Sequence, residues 1–195
     1  MSTKSWIWYL RPQTTTIETM DVSGIMEQIK RKPNRLKGYD YSQNGAYFIT
    51  ICVKDKREIL WSNARAHTAR LQSAQRLSEY GVVIENAINN IPKHYPSVSV
   101  DKYVVMPNHI HMILLLNSPG DGRIYQIRDL VDMRAPTVST VINQMKGSVT
   151  KQIGVSLWQK LFHDHIIRND EEYAKIWEYI DTNPLKWEDD CYYVL

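Results

Sequence analysis

The stretch SVSVDKYVVMPNHIHMILLL, Ser97 to Leu116, limits the fold more than any other part of the chain. Two runs rich in β-branched and large apolar residues flank Pro107-Asn108, a pair that ends one strand and turns the backbone. The returning run, HIHMILLL, is almost wholly apolar and predicts a buried strand. Yet it carries two histidines, His109 and His111. Buried imidazole nitrogens need partners, so two of them on one strand require an explanation.

The neighbouring segments supply the frame for that hairpin. GAYFITICVKD predicts a strand near Ala46 to Lys54. Leu77, Tyr80, Val83 or Ile84, Ala87, Ile88 and Ile91 fall on one helical stripe, which Pro92 ends. Val138, Val141, Ile142, Met145, Val149 and Ile153 repeat at helical spacing, and LFHDHIIR reads as a fourth strand. DEEYAKIWEYIDTNP is a last helix: Asp170, Glu171 and Glu172 suit the positive end of its dipole, and Pro184 stops it. The order β-α-β-β-α-β plus a C-terminal helix predicts an α+β, ferredoxin-like fold. One antiparallel sheet carries both main helices on one face.

A chain of 195 residues suits one domain. Residues 1–30 read as an N-terminal extension, 31–190 as the domain and 191–195 as a tail. Asn63 to Gln75 is polar and reads as a surface insertion, and Asn117 to Gly122 as a loop. No apolar run reaches the roughly 20 residues of a membrane span, and the N-terminus lacks the pattern of a signal peptide. Cys52 and Cys191 form neither a metal motif nor a disulfide framework, which suits a reduced, cytoplasmic setting.

The net charge of +3 is unevenly spread: the N-terminal part is basic and the last thirty or so residues are acidic. The densest basic stretch, KRKPNRLK, contains Lys30, Arg31, Lys32, Arg35 and Lys37 and no acid. It suits a phosphate backbone, and equally a solvated arm.

Residues i and i+2 of a strand project from the same face. His109 and His111 therefore stand side by side, at a spacing that can grip one metal ion. A third ligand has to come from elsewhere. A second H-x-H pair, His163 and His165, lies on the fourth strand. In the usual ferredoxin-like order the first strand separates it from the first pair, so it reads as structural or substrate-facing. On the last helix Tyr173, Ile176, Trp177 and Ile180 form an apolar stripe, and Tyr173 reads as core. Tyr179 lies roughly 110° from the stripe's centre, with Asn183 four residues on, nearly on the same side. Taken locally, these two are also what a half-exposed tyrosine and a helix-ending asparagine look like.

Taken together, GYDYSQNGAYFITICV, YVVMPNHIHMILLL, LWQKLFHDHIIRNDEEY and WEYIDTNPLKW resemble the REP-associated tyrosine transposases. These belong to the wider single-tyrosine HUH transposases of bacterial insertion sequences. The resemblance spans about Lys30 to Asp190. PNHIHMI and EYIxxNPxKW are specific as a pair, whereas either alone is weak. The N-terminal extension, the insertion near Asn63 to Gln75 and the short C-terminus depart from the commonest pattern.

The resemblance implies a metal-dependent enzyme that cleaves and rejoins single-stranded DNA beside hairpins through a 5′-phosphotyrosine. It implies Tyr179, not Tyr173, as the nucleophile. It implies His109, His111 and Asn183 as ligands of a divalent ion, Mg²⁺ or Mn²⁺, and it favours a monomer over a homodimer. The basic segment and the many aromatic residues are then candidates for holding single-stranded DNA. Two rival readings remain. One is another metallo-phosphoesterase, although the H-x-[ST] pairs and the H-x-H-x-H run of such enzymes are missing. The other is a transposase-derived protein that only binds nucleic acid.

Overall fold

The computed structural model describes residues 38–62, 77–117 and 136–193. Every element below belongs to one compact unit, Asp40–Leu195. Its order is β1 (Gly45–Cys52), α1 (Glu79–Asn89), a short α2 (Ile91–His94), β2 (Val98–Val105), β3 (His109–Leu116), α3 (Val138–Ile153), β4 (His163–Ile167) and α4 (Asp170–Thr182). A 3₁₀ segment, Asn183–Asp189, follows. The basic stretch Lys30 to Lys37 and the insertion at Asn63 to Gln75 lie outside the described residues.

The four strands form one antiparallel sheet in the order β2-β3-β1-β4. β3 and β1 are therefore central, which explains why HIHMILLL can be apolar on both faces. Strand alternation puts Tyr47, Ile49 and Ile51 of β1 with Ile110, Met112 and Leu114 of β3 on one face, all without exposure. Helices α1 and α3 cover that face and pack on each other. The opposite face carries Phe48, Thr50 and Cys52 opposite Ile113, His111 and His109.

Local chemistry sets the helix ends. Ser78 caps α1 by accepting from the Gly81 amide, and its own hydroxyl donates to the Ile59 carbonyl. Gly81 is required by packing, since a Cβ there would stand 2.4 Å from the Leu60 carbonyl oxygen. Tyr80, expected on the buried stripe, is instead 41% exposed in the first turn, while Ile84, Ile88 and Ile91 are buried. Pro92 does not simply end the helix. α1 stops at Asn89, and Pro92 opens α2, where its missing N–H costs nothing. Thr137 caps α3, and Gly154, at φ 80°, closes it in the left-handed conformation.

α3 matches its predicted span and stripe, with one addition that the apolar pattern could not reveal. Lys146 is buried, and its Nζ donates to the carbonyls of Gln159 (2.8 Å) and Lys160 (3.1 Å). This pins the α3–β4 loop, whose Gln159 amide donates to the Cys52 carbonyl at the end of β1.

Candidate metal and nucleophile site

The site is assembled at the end of β3. Pro107 and Asn108 make a tight turn closed by the Met106 amide donating to the His109 carbonyl at 2.8 Å. Neighbouring loops hold this turn: Val53 N–H donates to Asn108 O, and Leu60 N–H to Pro107 O. His109 and His111 then enter the sheet on the same face, as the strand period requires. Both are buried, at 0% and 1% exposure, and their Nε2 atoms are 2.9 Å apart.

The outer ring nitrogens are both occupied. His109 Nδ1 lies 2.8 Å from Asn108 Oδ1, and His111 Nδ1 lies 2.8 Å from Thr50 Oγ1. The two Nε2 atoms are therefore the ones left to converge. Two nitrogens bound to one ion at about 2.1 Å, roughly at right angles, stand about 3 Å apart. The observed separation fits that requirement.

A third donor completes the cluster. His109, His111 and Asp190 each offer a ligand atom, and these atoms lie within 4.8 Å of one another. Asp190 follows the 3₁₀ segment, and its Oδ1 accepts from the Tyr192 amide at 2.7 Å. Sequence reasoning missed it. It stands in a run of acids, Glu188-Asp189-Asp190, where nothing marks one carboxylate as turning inward.

α4 brings Tyr179 to this cluster. Its hydroxyl lies 3.2 Å from His111 Nε2 and donates to Asp190 Oδ2 at 3.2 Å. Its ring meets Phe48 edge-on, with centroids 6.1 Å apart. The stripe read from sequence is off-centre, however. Ile176 and Ile180 are buried, but Trp177 is 40% exposed, with Lys102 Nζ 3.7 Å over its ring. The buried face also includes Glu172 and Asn183, two polar residues that an apolar count leaves out. They shift its centre toward Tyr179.

Asn183 begins the 3₁₀ segment and is buried at 3% exposure. Its side chain sits near enough to Asp190 to favour the carboxylate. Its Nδ2 nevertheless makes no hydrogen bond among the described residues. A buried amide with an idle nitrogen near a carboxylate is itself a reason to look for a missing partner.

Polar contacts from both sheet edges hold α4 in place. On the β4 side, His165 Nε2 donates to Glu172 Oε1 at 2.7 Å, and the Arg168 amide donates to Glu172 Oε2 at 2.8 Å. On the β2 side, a bulge between Val100 and Lys102 accompanies two further links. Tyr173 donates to Asp101 at 2.5 Å, and Lys102 pairs with Asp181. Tyr173 is thus a half-buried anchor to a strand, remote in role from the histidines. The sheet order places β1 between the two H-x-H pairs, as expected, and His165 serves as the helix anchor.

Burial dominates the electrostatics. It holds His109 far below the ordinary imidazole range, helped by His111 and Lys56, and takes His111 down to about 3. It raises the Asp190 carboxyl despite hydrogen bonds that oppose it. The Tyr179 hydroxyl is pushed well above its ordinary value, first by burial and then by the Asp190 charge. Burial thus favours neutral rings, the form in which an imidazole can ligate a cation.

No protein-family model matches the chain. An uncharacterized protein of Haemophilus influenzae is 33% identical over 175 residues, covering 84% of this chain and 93% of its own length. The REP-associated tyrosine transposase of Escherichia coli K12 is 24% identical over 147 residues, covering 75% of this chain and 70% of its own. The chain is thus similar in sequence to REP-associated tyrosine transposases. Its fold is similar to that of a REP-associated tyrosine transposase solved bound to a REP hairpin. The TM-score is 0.53 at 24% identity, over 76% of this chain and 72% of the other. Among the described residues, no helix is long and apolar enough to cross a membrane.

Proposed function

We propose that the protein is a metal-dependent transposase and endonuclease of single-stranded DNA, acting beside hairpins through a 5′-phosphotyrosine on Tyr179. The observation that carries this reading is the position of the Tyr179 hydroxyl, 3.2 Å from both His111 Nε2 and Asp190 Oδ2. Residues 31–190 are the catalytic domain in this reading, preceded by an extension and followed by a five-residue tail.

His109, His111 and Asp190 would hold the divalent ion, Mg²⁺ or Mn²⁺, with Asn183 as a neutral fourth donor. Bound there, the ion would polarise the scissile phosphate and offset its developing charge. Tyr179 supplies the nucleophile, since its Oη–P bond forms as the P–O3′ bond breaks. Asp190 Oδ2 already accepts the phenolic hydrogen and is placed to take the proton, while the departing 3′-oxygen takes a proton from water and ends as a hydroxyl. The covalent link keeps the phosphodiester energy, so another 3′-hydroxyl can reverse the step without an external energy source.

Trp187 and Tyr192 lie tilted against His109, with ring centroids 5.9 and 4.5 Å away. With the imidazoles fully buried, a strand reaches them only when these covering rings shift. Lys30, Arg31, Lys32, Arg35 and Lys37 would hold the DNA backbone. One chain brings together both histidines, the acid and the tyrosine, which supports a monomer. Cys52 and Cys191, present as thiols, fit a cytoplasmic setting.

The test is cleavage of a labelled single strand bearing a hairpin, with Mg²⁺ or Mn²⁺ supplied. A covalent adduct that maps to Tyr179 supports the reading. DNA binding without cleavage at any ion concentration would favour a protein that only binds nucleic acid.

A further inference from the structure

Asn108 is 1% exposed and uses both ends of its amide. Nδ2 donates to the Tyr192 carbonyl at 2.9 Å and to the Lys56 carbonyl at 3.3 Å. Carbonyls only accept, so the amide's orientation is settled: its oxygen must face His109. Oδ1 also only accepts, so His109 Nδ1 carries the hydrogen and Nε2 presents a bare lone pair to the cluster.

The other end of the amide reaches the third donor. Tyr192, whose carbonyl Asn108 holds, gives its own amide to Asp190 Oδ1. A single side chain therefore orients one imidazole and seats the segment that delivers the carboxylate. Its scaffold is stiff, because the Pro107 and Asn108 carbonyls are both tied down. Lys56 lies in a turn where Asp55 and Lys56 take φ values of 59° and 52°. Residues with a Cβ adopt that conformation only against steric strain.

We propose that Asn108 is a positioning residue that couples metal binding to docking of the C-terminal segment Asp190 to Tyr193. The proposal rests on reading His109, His111 and Asp190 as a divalent-ion site. An ion that draws Asp190 inward tightens the segment, and a docked segment favours the ion, through one amide.

The experiment is Mn²⁺ titration by calorimetry on the full chain, together with hydrogen exchange of the segment's amides followed by mass spectrometry. In the wild type, Mn²⁺ should bind and slow exchange in the segment. Asn108→Ala should lose 10- to 100-fold in Mn²⁺ affinity and speed exchange there while leaving the sheet amides unchanged. Asn108→Asp keeps an acceptor for His109 but loses the donor to Tyr192. It should speed exchange as much as alanine does while losing less affinity. If Asn108→Ala does not fold, the near-isosteric aspartate variant decides alone, and unchanged exchange in it overturns the proposal. Wild-type affinity and exchange in Asn108→Ala would also overturn it. A wild type that binds no Mn²⁺ would instead sink the metal reading itself.

Discussion

The hydroxyl of Tyr179 sits 3.2 Å from Nε2 of His111, although 68 positions separate the two residues in sequence. On the same helix Tyr173 points to Asp101 on an edge strand. Tyr179→Phe should therefore abolish cleavage and the covalent DNA adduct while binding survives. Tyr173→Phe should keep both activities and cost about 1 kcal/mol of stability through the lost hydrogen bond. Denaturing gels of labelled DNA, with peptide mapping of the adduct, separate the two. An adduct that persists in Tyr179→Phe would refute the assignment.

The metal site makes a graded prediction. His109→Ala and His111→Ala should each remove detectable Mn²⁺ binding, because each deletes a converging Nε2. Asp190→Ala should weaken binding strongly, and Asn183→Ala less, since a neutral amide contributes less charge than a carboxylate. Chelator should stop cleavage. Full cleavage in excess chelator, or Mn²⁺ affinity untouched by Asp190→Ala, would show that the cluster is not the ion's site.

How far could the sequence lead? The four strands, α3 and α4 came out close to their observed bounds because long, strongly periodic segments announce themselves. The same-face geometry of His109 and His111 follows from strand alternation alone. Asp190 did not come out, because an acid in an acidic run has no local signature, and only the turn after Trp187 sends it inward. Nor did the true centre of α4's buried face. Glu172 is buried because His165 and the Arg168 amide receive it, and those partners belong to tertiary structure. Trp177 was misread for the converse reason. Its exposed ring is faced by the Lys102 ammonium from β2, not by core.

The Glu172 anchor gives a pH dependence. Burial pushes its carboxyl up, but the Arg168 amide, the His165 hydrogen bond and the nearby charges outweigh burial and hold it below 4.5. A carboxyl lowered in the folded state contributes stability that is full above its unfolded value. That stability is lost as pH falls through the folded value. The wild type should thus lose stability below about pH 4.5, and Glu172→Gln should lose less over that window. At pH 7 the same variant should be less stable by about 2 kcal/mol. Urea unfolding across pH measures both, and parallel curves for the two proteins would contradict the anchor.

The basic segment at Lys30 to Lys37 bears on DNA affinity through counterion release. Neutralising Lys30, Arg31, Lys32 and Arg35 together should weaken single-strand binding and flatten its salt dependence. The slope of log K against log salt should fall by up to about 3 units. Binding titrations at several salt concentrations give the slope, and an unchanged slope would make the segment a solvated arm.

Thr50 carries the last prediction, because its hydroxyl can both donate and accept. With His109 Nε2 bare, the 2.9 Å contact between the two Nε2 atoms requires His111 Nε2 to hold the hydrogen when no ion is present. Thr50 then donates to His111 Nδ1. For His111 Nε2 to face a cation its hydrogen must move to Nδ1, and Thr50 must turn to accept it. Only a hydroxyl serves both states. Thr50→Ser should keep Mn²⁺ affinity within a few-fold. Thr50→Val fills the same space but leaves Nδ1 without a partner in either state, and should lose about 10-fold or more. Calorimetry on both variants, with thermal melts to verify folding, tests this. Equal affinity in valine and serine variants would mean that the hydroxyl has no part in preparing His111.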